Sequence, residues 1–403
     1  MGDGRMLLAA VLKRFIQQGT LHVIDAAGKK HTFSGTPGPE ATIRLHAKSI
    51  ELKMMLNPDI ALGEGYTEGE ITVEEGTLAG LLDVCTRNLA LHPLNALTSI
   101  VEVLCYPLRF IFQHNSLTGS RKNVSHHYDL NGKLYKLFLD KDMQYSCAYF
   151  KKLTDSLEIA QENKKKHIAK KLCLQKGQKV LDIGSGWGGL ALFLAKSAGV
   201  EVTGLTLSEE QLKVSRERAK AAGLDHRVKF FLRDYREEKG KYDRIVSVGM
   251  FEHVGTPNYN DFFHQVHDLL TPQGMAVLHS IGKSSVPGNA KGWISKYIFP
   301  GGYCPSLSEV MGPIENSKLF VTDIEILRYH YAETLKHWRE RFQEKRDQAQ
   351  ALYDARFCRL WEYYLTSCEM AFRNLGFMVF QIQLMRDPRL APLTREYMYE
   401  GSK

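Results

Sequence analysis

Two rhythms of apolar and polar positions follow one another along the chain. Residues 20–75 read as short alternating segments, broken at Gly35-Thr-Pro-Gly-Pro39 and at Gly63-Glu-Gly65, which predicts a small α+β unit. Ahead of it, Met6–Leu12 is apolar and Lys13-Arg14 follow at once, with no small-residue cleavage site. That pattern predicts a short amphipathic helix and not a signal peptide. Helical patterning runs from about Leu78 to Phe112, and its most apolar part, Ser99 to Phe112, is interrupted by Glu102, Pro107 and Arg109. That part is too short and too polar to span a bilayer. The polar, basic stretch Gln113 to Tyr128 is the candidate linker.

From Tyr145 onward the period changes repeatedly. Ser156 to Leu172 is a helix pattern with Ser156 as N-cap. Lys179–Ile183, Val200–Leu207, Val228–Leu232, Tyr242–Val248 and Met275–Ile281 are strand-length apolar runs, and Gly189–Ala198 and Ser208–Ala222 between them are helical. Phe320–Leu327 and Met378–Leu384 are two later strands, separated by long helical stretches rich in aromatics. Strands alternating with helices imply an α/β fold, a doubly wound and mostly parallel sheet.

Composition narrows the class. The chain has 403 residues, which suggests two or three domains. With 24% charged and 10% aromatic residues it is an ordinary globular composition, excluding collagen, coiled coil and wholesale disorder. The net charge of +8 suits an anionic membrane surface and a nucleic acid equally. The seven cysteines are odd in number, and none forms a Cys-x-x-Cys pair. Neither a metal site nor a disulfide framework is expected, and reduced thiols in a cytoplasm are.

The chemistry begins at Val180-Leu-Asp-Ile-Gly-Ser-Gly-Trp-Gly-Gly189. Glycines between a strand and a helix let the backbone approach a nucleotide-like ligand. Dinucleotide folds use Gly-x-Gly-x-x-Gly with an acid about 20 residues on, which holds the ribose. Here the second strand closes on Leu207 with no acid at its tip, which counts against NAD. Asp182, Gly184 and Gly186, with Asp234 after the third strand, together resemble class I S-adenosylmethionine-dependent methyltransferases, a Rossmann-like fold.

A narrower resemblance follows. Tyr145-Ser-Cys-Ala-Tyr-Phe150, Ser247-Val-Gly-Met-Phe-Glu-His-Val-Gly255, His279-Ser-Ile-Gly282, Trp293-Ile-Ser-Lys-Tyr-Ile-Phe-Pro-Gly301 and Tyr364-Leu-Thr-Ser-Cys-Glu-Met-Ala-Phe372 all resemble the cyclopropane-fatty-acyl-phospholipid synthase family. They stand in order from about His126 to Leu384. Leu62-Gly-Glu-Gly-Tyr-Thr-Glu-Gly69 resembles the small N-terminal domain of the bacterial phospholipid enzymes, a domain that the mycolic-acid relatives lack. The resemblance implies a small lipid- or membrane-associated domain over 1–125 and a methyltransferase domain over 126–403. It implies conversion of cis double bonds in phospholipid acyl chains into cyclopropanes, with methylation without ring closure as the sibling outcome.

The reaction sets demands that these residues can be held against. An alkene is a poor nucleophile, so the methyl donor must be strongly electrophilic, positioned in line and shielded from water. A base must then take a proton from the new methyl group, and a strong nucleophile there would itself be alkylated. The resemblance implies a bound bicarbonate in this role, held by Cys147, Glu252, His279, the backbone N–H of Ile281, and Tyr331. Cys368 corresponds to a cysteine traditionally assigned to the family's active site, although its aromatic, helical surroundings equally suit packing. Cofactor residues carry over to Tyr145, Ser146, Asp182, Gly184, Gly186, Trp187, Gly188, Gly189, Thr206, Gln211, Asp234 and Tyr235. Gln211 can bond ribose hydroxyls in place of the missing acid, and Asp234 can accept from the adenine amino group. Ser185 departs from the cysteine of most relatives, and both are small.

The basic clusters Lys151-Lys152, Lys164-Lys-Lys166 and Lys170-Lys171 read as solvated helix faces that could also dock on anionic headgroups. No nucleic-acid-binding module appears. A cytoplasmic enzyme peripherally associated with the membrane is expected, and homodimerisation is an assembly the resemblance allows.

Overall fold

The computed structural model describes residues 8–91, 132–288 and 292–399. The chain divides into two compact units, each discontinuous in sequence: the first takes in described residues 8–91, 292–300 and 335–377, the second 132–288, 301–334 and 378–399. The expected boundary at 125/126, the candidate linker Gln113–Tyr128 and the stretch Ser99–Phe112 lie outside the described residues.

In the first unit, strands β1 (Gln18–Ile24), β2 (Lys30–Ser34), β3 (Thr36–Leu45) and β4 (Ile71–Glu75) form one sheet in the order β2-β1-β3-β4. β1 pairs antiparallel with β2 and parallel with β3. Two expected breaks are corrected. Residues 36–39 belong to β3, and the prolines at 37 and 39 fall where its register with β1 slips, so no ladder bond is lost. Gly63 and Gly65 lie inside the helix Pro58–Glu68, which Asn57 caps and Gly69 closes with φ of 78°. They are glycines for want of space: a Cβ at Gly63 would stand 2.3 Å from Cδ1 of Trp293, and one at Gly65 2.7 Å from Cδ1 of Ile71. The helix Ala355–Asn374 buries Trp361, Tyr363, Tyr364, Met370 and Phe372, so much of its aromatic content is core.

The second unit holds the expected sheet. Its strands are β5 (Lys179–Ile183), β6 (Glu201–Thr206), β7 (Val228–Leu232), β8 (Tyr242–Val248), β9 (Leu270–Lys283), β10 (Phe320–Leu327) and β11 (Phe377–Met385). They stand in the order β10-β11-β9-β8-β5-β6-β7. β5 pairs parallel with β6 and β8, β6 with β7, and β8 with β9, while β10 and β11 run antiparallel. β5 is buried at every position after Lys179 because both faces of the sheet are covered. The chain leaves β5 toward β6 on one side and later returns to place β8 on the other. The loops after β5 and β8 therefore diverge, and such a switch point opens a crevice beyond the strand ends.

The helix Leu157–Lys171 packs on this unit, with Ser156 accepting the Ile159 N–H as N-cap. Here the reading of the basic clusters is corrected. Lys164 and Lys171 are 0% exposed and Lys165 only 7%, so these three face inward. Lys165 pairs with Asp142 and Glu162, and Lys171 with Glu325 at 2.6 Å and Asp323 at 3.5 Å. A helix with charge all round must bury some of it when it is packed on one side, and here buried carboxylates compensate. Among the described residues, no helix is long and apolar enough to cross a membrane.

Candidate active site

A cavity with about 1180 Å³ of empty space, part of it open to solvent, lies at the switch point, within the second unit. Its wall comes from the loop after β5, the ends of β6 and β7, the turn after β8, and residues 143–146. Tyr145, Ser146, Asp182, Gly184, Gly186, Trp187, Thr206, Gln211, Asp234 and Tyr235 all contribute to that wall. Gly188 and Gly189 do not line it. Gly188 begins the helix Gly189–Ala198, and at Gly189 a Cβ would meet Nε2 of Gln144 at 2.4 Å, so both glycines serve close packing beneath the loop. Gly184 has φ of 83°, and a Cβ there would meet Met250 at 2.8 Å across the switch point.

Polar groups on the wall are poised in different ways. Burial pushes Asp182 up to about 7, opposed by the charge of Lys164, and its Oδ2 is buried without a partner. Oε1 of Gln211 accepts from Thr206 Oγ1 at 2.8 Å, and its NH2 has no protein partner among the described residues. Both oxygens of Asp234 accept from Arg236, at 2.8 Å each. An adenine amino group would therefore share Asp234 with that guanidinium. Tyr145 packs edge-on against Tyr135 at 5.2 Å, and Tyr135 also meets Trp187 at 5.8 Å. A wall of this kind, with an orphaned carboxylate oxygen, free amide donors and aromatic faces, fits an adenosine carrying a charged amino-acid tail.

None of the residues expected to hold the base lines the cavity; Cys147, Glu252 and His279 are chain or register neighbours of residues that do. Glu252 sits in the turn Phe251–His253, between the wall residues Met250 and His253. Its Oε1 accepts the Ile281 N–H at 2.6 Å, while Oε2 is buried with no partner. Burial pushes Glu252 up to about 7. The Ile281 N–H, expected on the anion, is thus spent on orienting Glu252. His279 pairs with Val248 in the β8–β9 register and accepts the Gly249 N–H on its carbonyl at 2.9 Å. The Gln381 amide donates to its Nδ1 at 3.0 Å, leaving the proton on Nε2. Burial and the neighbouring Lys164, Lys171 and His167 charges hold His279 well below the usual histidine range, so it is neutral.

Cys147 follows Ser146 and is fully buried. Its thiol is pushed up by burial, stays protonated, and donates to the Ala148 carbonyl at 3.3 Å. Tyr331 is buried in the first turn of the helix His330–Glu344. That turn grips the Cys147 segment: Ala148 N–H donates to Thr334 Oγ1 at 3.0 Å and Phe150 N–H to His330 Nδ1 at 2.9 Å. Cys368 stands apart in chain organisation, half-buried on the helix Ala355–Asn374 of the first unit. The orphaned Glu252 Oε2 and a neutral imidazole N–H are an acceptor and a donor of the kind a small protonated oxyanion such as bicarbonate requires, while the Cys147 S–H is already used on the Ala148 carbonyl.

Met143, Gln144, Arg233, Arg236, Met250, His253 and Val254 also line the cavity and were not singled out from sequence. Of these, only Arg236 carried a local signal, its position two residues after Asp234.

The sheet order, the switch-point cavity and its glycine turn define a class I S-adenosylmethionine-dependent methyltransferase. The chain belongs to the mycolic acid cyclopropane synthetase family, whose model matches residues 115–382. A probable fatty acid methyltransferase of Pseudomonas putida is 36% identical over 375 residues, 90% of this chain and 92% of that protein. The cyclopropane-fatty-acyl-phospholipid synthase of Escherichia coli K12 is 44% identical over 260 residues, 64% of this chain and 66% of that protein. The mycolic acid cyclopropane synthase CmaA1, solved with SAH and CTAB, superposes with a TM-score of 0.62 at 33% identity, covering 66% of this chain and 97% of that one.

Proposed function

We propose that this enzyme transfers a methylene group from S-adenosylmethionine to cis double bonds of phospholipid acyl chains, forming cyclopropanes, with bicarbonate as the base. The observation that carries the reading is Glu252, a buried carboxylate with one oxygen fixed by Ile281 N–H and the other unpartnered, next in the chain to the wall residue His253. The likeness to the E. coli synthase supports the substrate class.

When bound, S-adenosylmethionine supplies an electrophilic methyl group and bicarbonate a small, weakly nucleophilic base. The protein's part is positioning and proton management. Asp182, Gln211 and Tyr145, all on the cavity wall, would hold the donor. Were bicarbonate bound, Glu252 Oε2 would accept from the anion's hydroxyl and the neutral Nε2–H of His279 would donate to one of its oxygens, while the Ala148 and Phe150 bonds hold the Cys147 segment against the turn that carries Tyr331. A Cys147 thiolate would compete for alkylation, and burial prevents it from forming. We place the enzyme's work at a membrane surface, reached peripherally.

A second reading, methylation without ring closure, is favoured by the P. putida relative, which matches nearly the whole chain. A trideuteromethyl donor separates the two. Ring closure must remove one methyl hydrogen and leaves CD2 in a product with upfield cyclopropane proton signals. A methyl-branched alkene formed by proton loss from the chain keeps CD3. Turnover in CO2-depleted buffer, with and without added bicarbonate, tests the base; unchanged turnover would remove bicarbonate from the mechanism.

A further inference from the structure

Lys164 has no role in the site as described, yet its position is unusual. It is 0% exposed, on the inward face of the helix Leu157–Lys171. Its Nζ donates to Gln144 Oε1 at 2.6 Å and Ser146 Oγ at 2.8 Å. Both acceptors are neutral and both line the cavity. Lys165 and Lys171 on the same helix each meet carboxylates, but no carboxylate pairs with Lys164 among the described residues. The nearby carboxylates of Asp140 and Asp142 act on Lys164 through space and are not in direct ion-pair contact with it among the described residues. Burial pulls Lys164 down to about 8, which leaves it mainly protonated at neutral pH. The charge is present, and its direct hydrogen bonds among the described residues go to neutral oxygens alone.

We propose that Lys164 and Ser146 form an anion subsite on the cavity wall: the ammonium donates to Ser146 Oγ, and the Ser146 hydroxyl proton, turned away, donates to a carboxylate-type oxyanion. A hydroxyl that accepts from an ammonium keeps its own O–H for another acceptor and donates more strongly, because linked hydrogen bonds polarise one another. Ser146 Oγ has no other protein partner among the described residues, so that proton has nowhere else to go. The neighbouring contacts fix the geometry. Gln161, one turn before Lys164, donates to the Ser146 carbonyl at 2.9 Å and the Gln144 carbonyl at 3.4 Å, so one helix face grips residues 144–146 along their length. The Lys164 charge also acts on Cys147, His279 and Asp182. Its field therefore spans both parts of the site.

A carboxylate-type oxyanion can come from two sources here: the amino-acid end of the methyl donor, or bicarbonate. The inference rests on the reading of this cavity as a methyl-donor site, and the arms of the test keep the two apart. Calorimetric binding of S-adenosylhomocysteine and of 5′-methylthioadenosine, which lacks the carboxylate, would be measured on the full chain and on Lys164→Met, Lys164→Arg and Ser146→Ala. The bicarbonate concentration for half-maximal turnover on vesicles of unsaturated phospholipid would be measured beside them.

If the donor's carboxylate is the ligand, Lys164→Met weakens S-adenosylhomocysteine by about tenfold or more and 5′-methylthioadenosine far less. If bicarbonate is the ligand, its half-saturation rises by a similar factor while both nucleosides bind as before. In either case Lys164→Arg recovers part of the loss and Ser146→Ala reproduces part of it. Equal weakening of both nucleosides with no change in bicarbonate dependence would mean that Lys164 only shapes the wall, and would overturn the proposal. So would unchanged values in all arms. Should Lys164→Met fail to fold, the Ser146→Ala values decide by the same criteria. Failure of the parent protein to bind S-adenosylhomocysteine at all would overturn the underlying reading as well.

Discussion

Glu252 and Asp182 are carboxyl groups held near neutrality by burial, and each gives a test whose sign is set by that shift. Glu252 binds its proton more tightly folded than unfolded. Its contribution to stability is therefore complete below the ordinary glutamate pKa and is lost as pH rises through about 7. Glu252→Gln has no charge to bury and keeps an oxygen for the Ile281 N–H. It should melt with the parent near pH 4, gain about 2 kcal/mol over it above pH 7, and lose turnover by about a hundredfold or more. Thermal melts across that range check the first part; a gap that does not open with pH would show that the carboxylate is compensated by a group not identified here. Asp182 should bind a donor's hydroxyl or ammonium best when ionised. Affinity for S-adenosylhomocysteine should rise as pH climbs through about 7, and Asp182→Ala should lower it by about tenfold or more and flatten the pH dependence. Titration calorimetry at several pH values reads both.

At the scale of elements, the helix Pro58–Glu68 shows how packing overrides local preference. Two glycines in one helix each cost about 1 kcal/mol relative to alanine, and the sequence alone reads them as a break. They are retained because Trp293 and Ile71 press against the backbone there. Gly63→Ala should therefore destabilise, by about 1–3 kcal/mol, although alanine is the better helix former. A urea titration that found the variant more stable than the parent would contradict that contact. The helix Leu157–Lys171 makes the converse point. Its N-cap and length are legible at Ser156 and Leu172, but which of its lysines face inward is set by the strand and loop it lands on.

Over the whole molecule, the correction of the basic clusters changes where a membrane would be met. Lys164, Lys165 and Lys171 are internal, and Lys151, Lys152 and Lys166 are the exposed lysines of those clusters. If anionic headgroups are met through this face, Lys151→Glu, Lys152→Glu and Lys166→Glu together should weaken binding to phosphatidylglycerol vesicles by about 1 kcal/mol per residue and reduce its salt dependence. Unaltered vesicle sedimentation would move the docking surface elsewhere on the chain. The sequence by itself determined the sheet-forming segments and the glycine turn after β5, and nominated Asp182, Glu252 and His279 as candidates, because strand period, turn chemistry and residue type are local properties. It left open the discontinuous make-up of the two units, the use of the Ile281 N–H by Glu252, and the burial of Lys164. Those depend on which distant segments meet, and only the tertiary structure decided them: a charge becomes a strut, an orphan or a solvated surface group according to what packs against it.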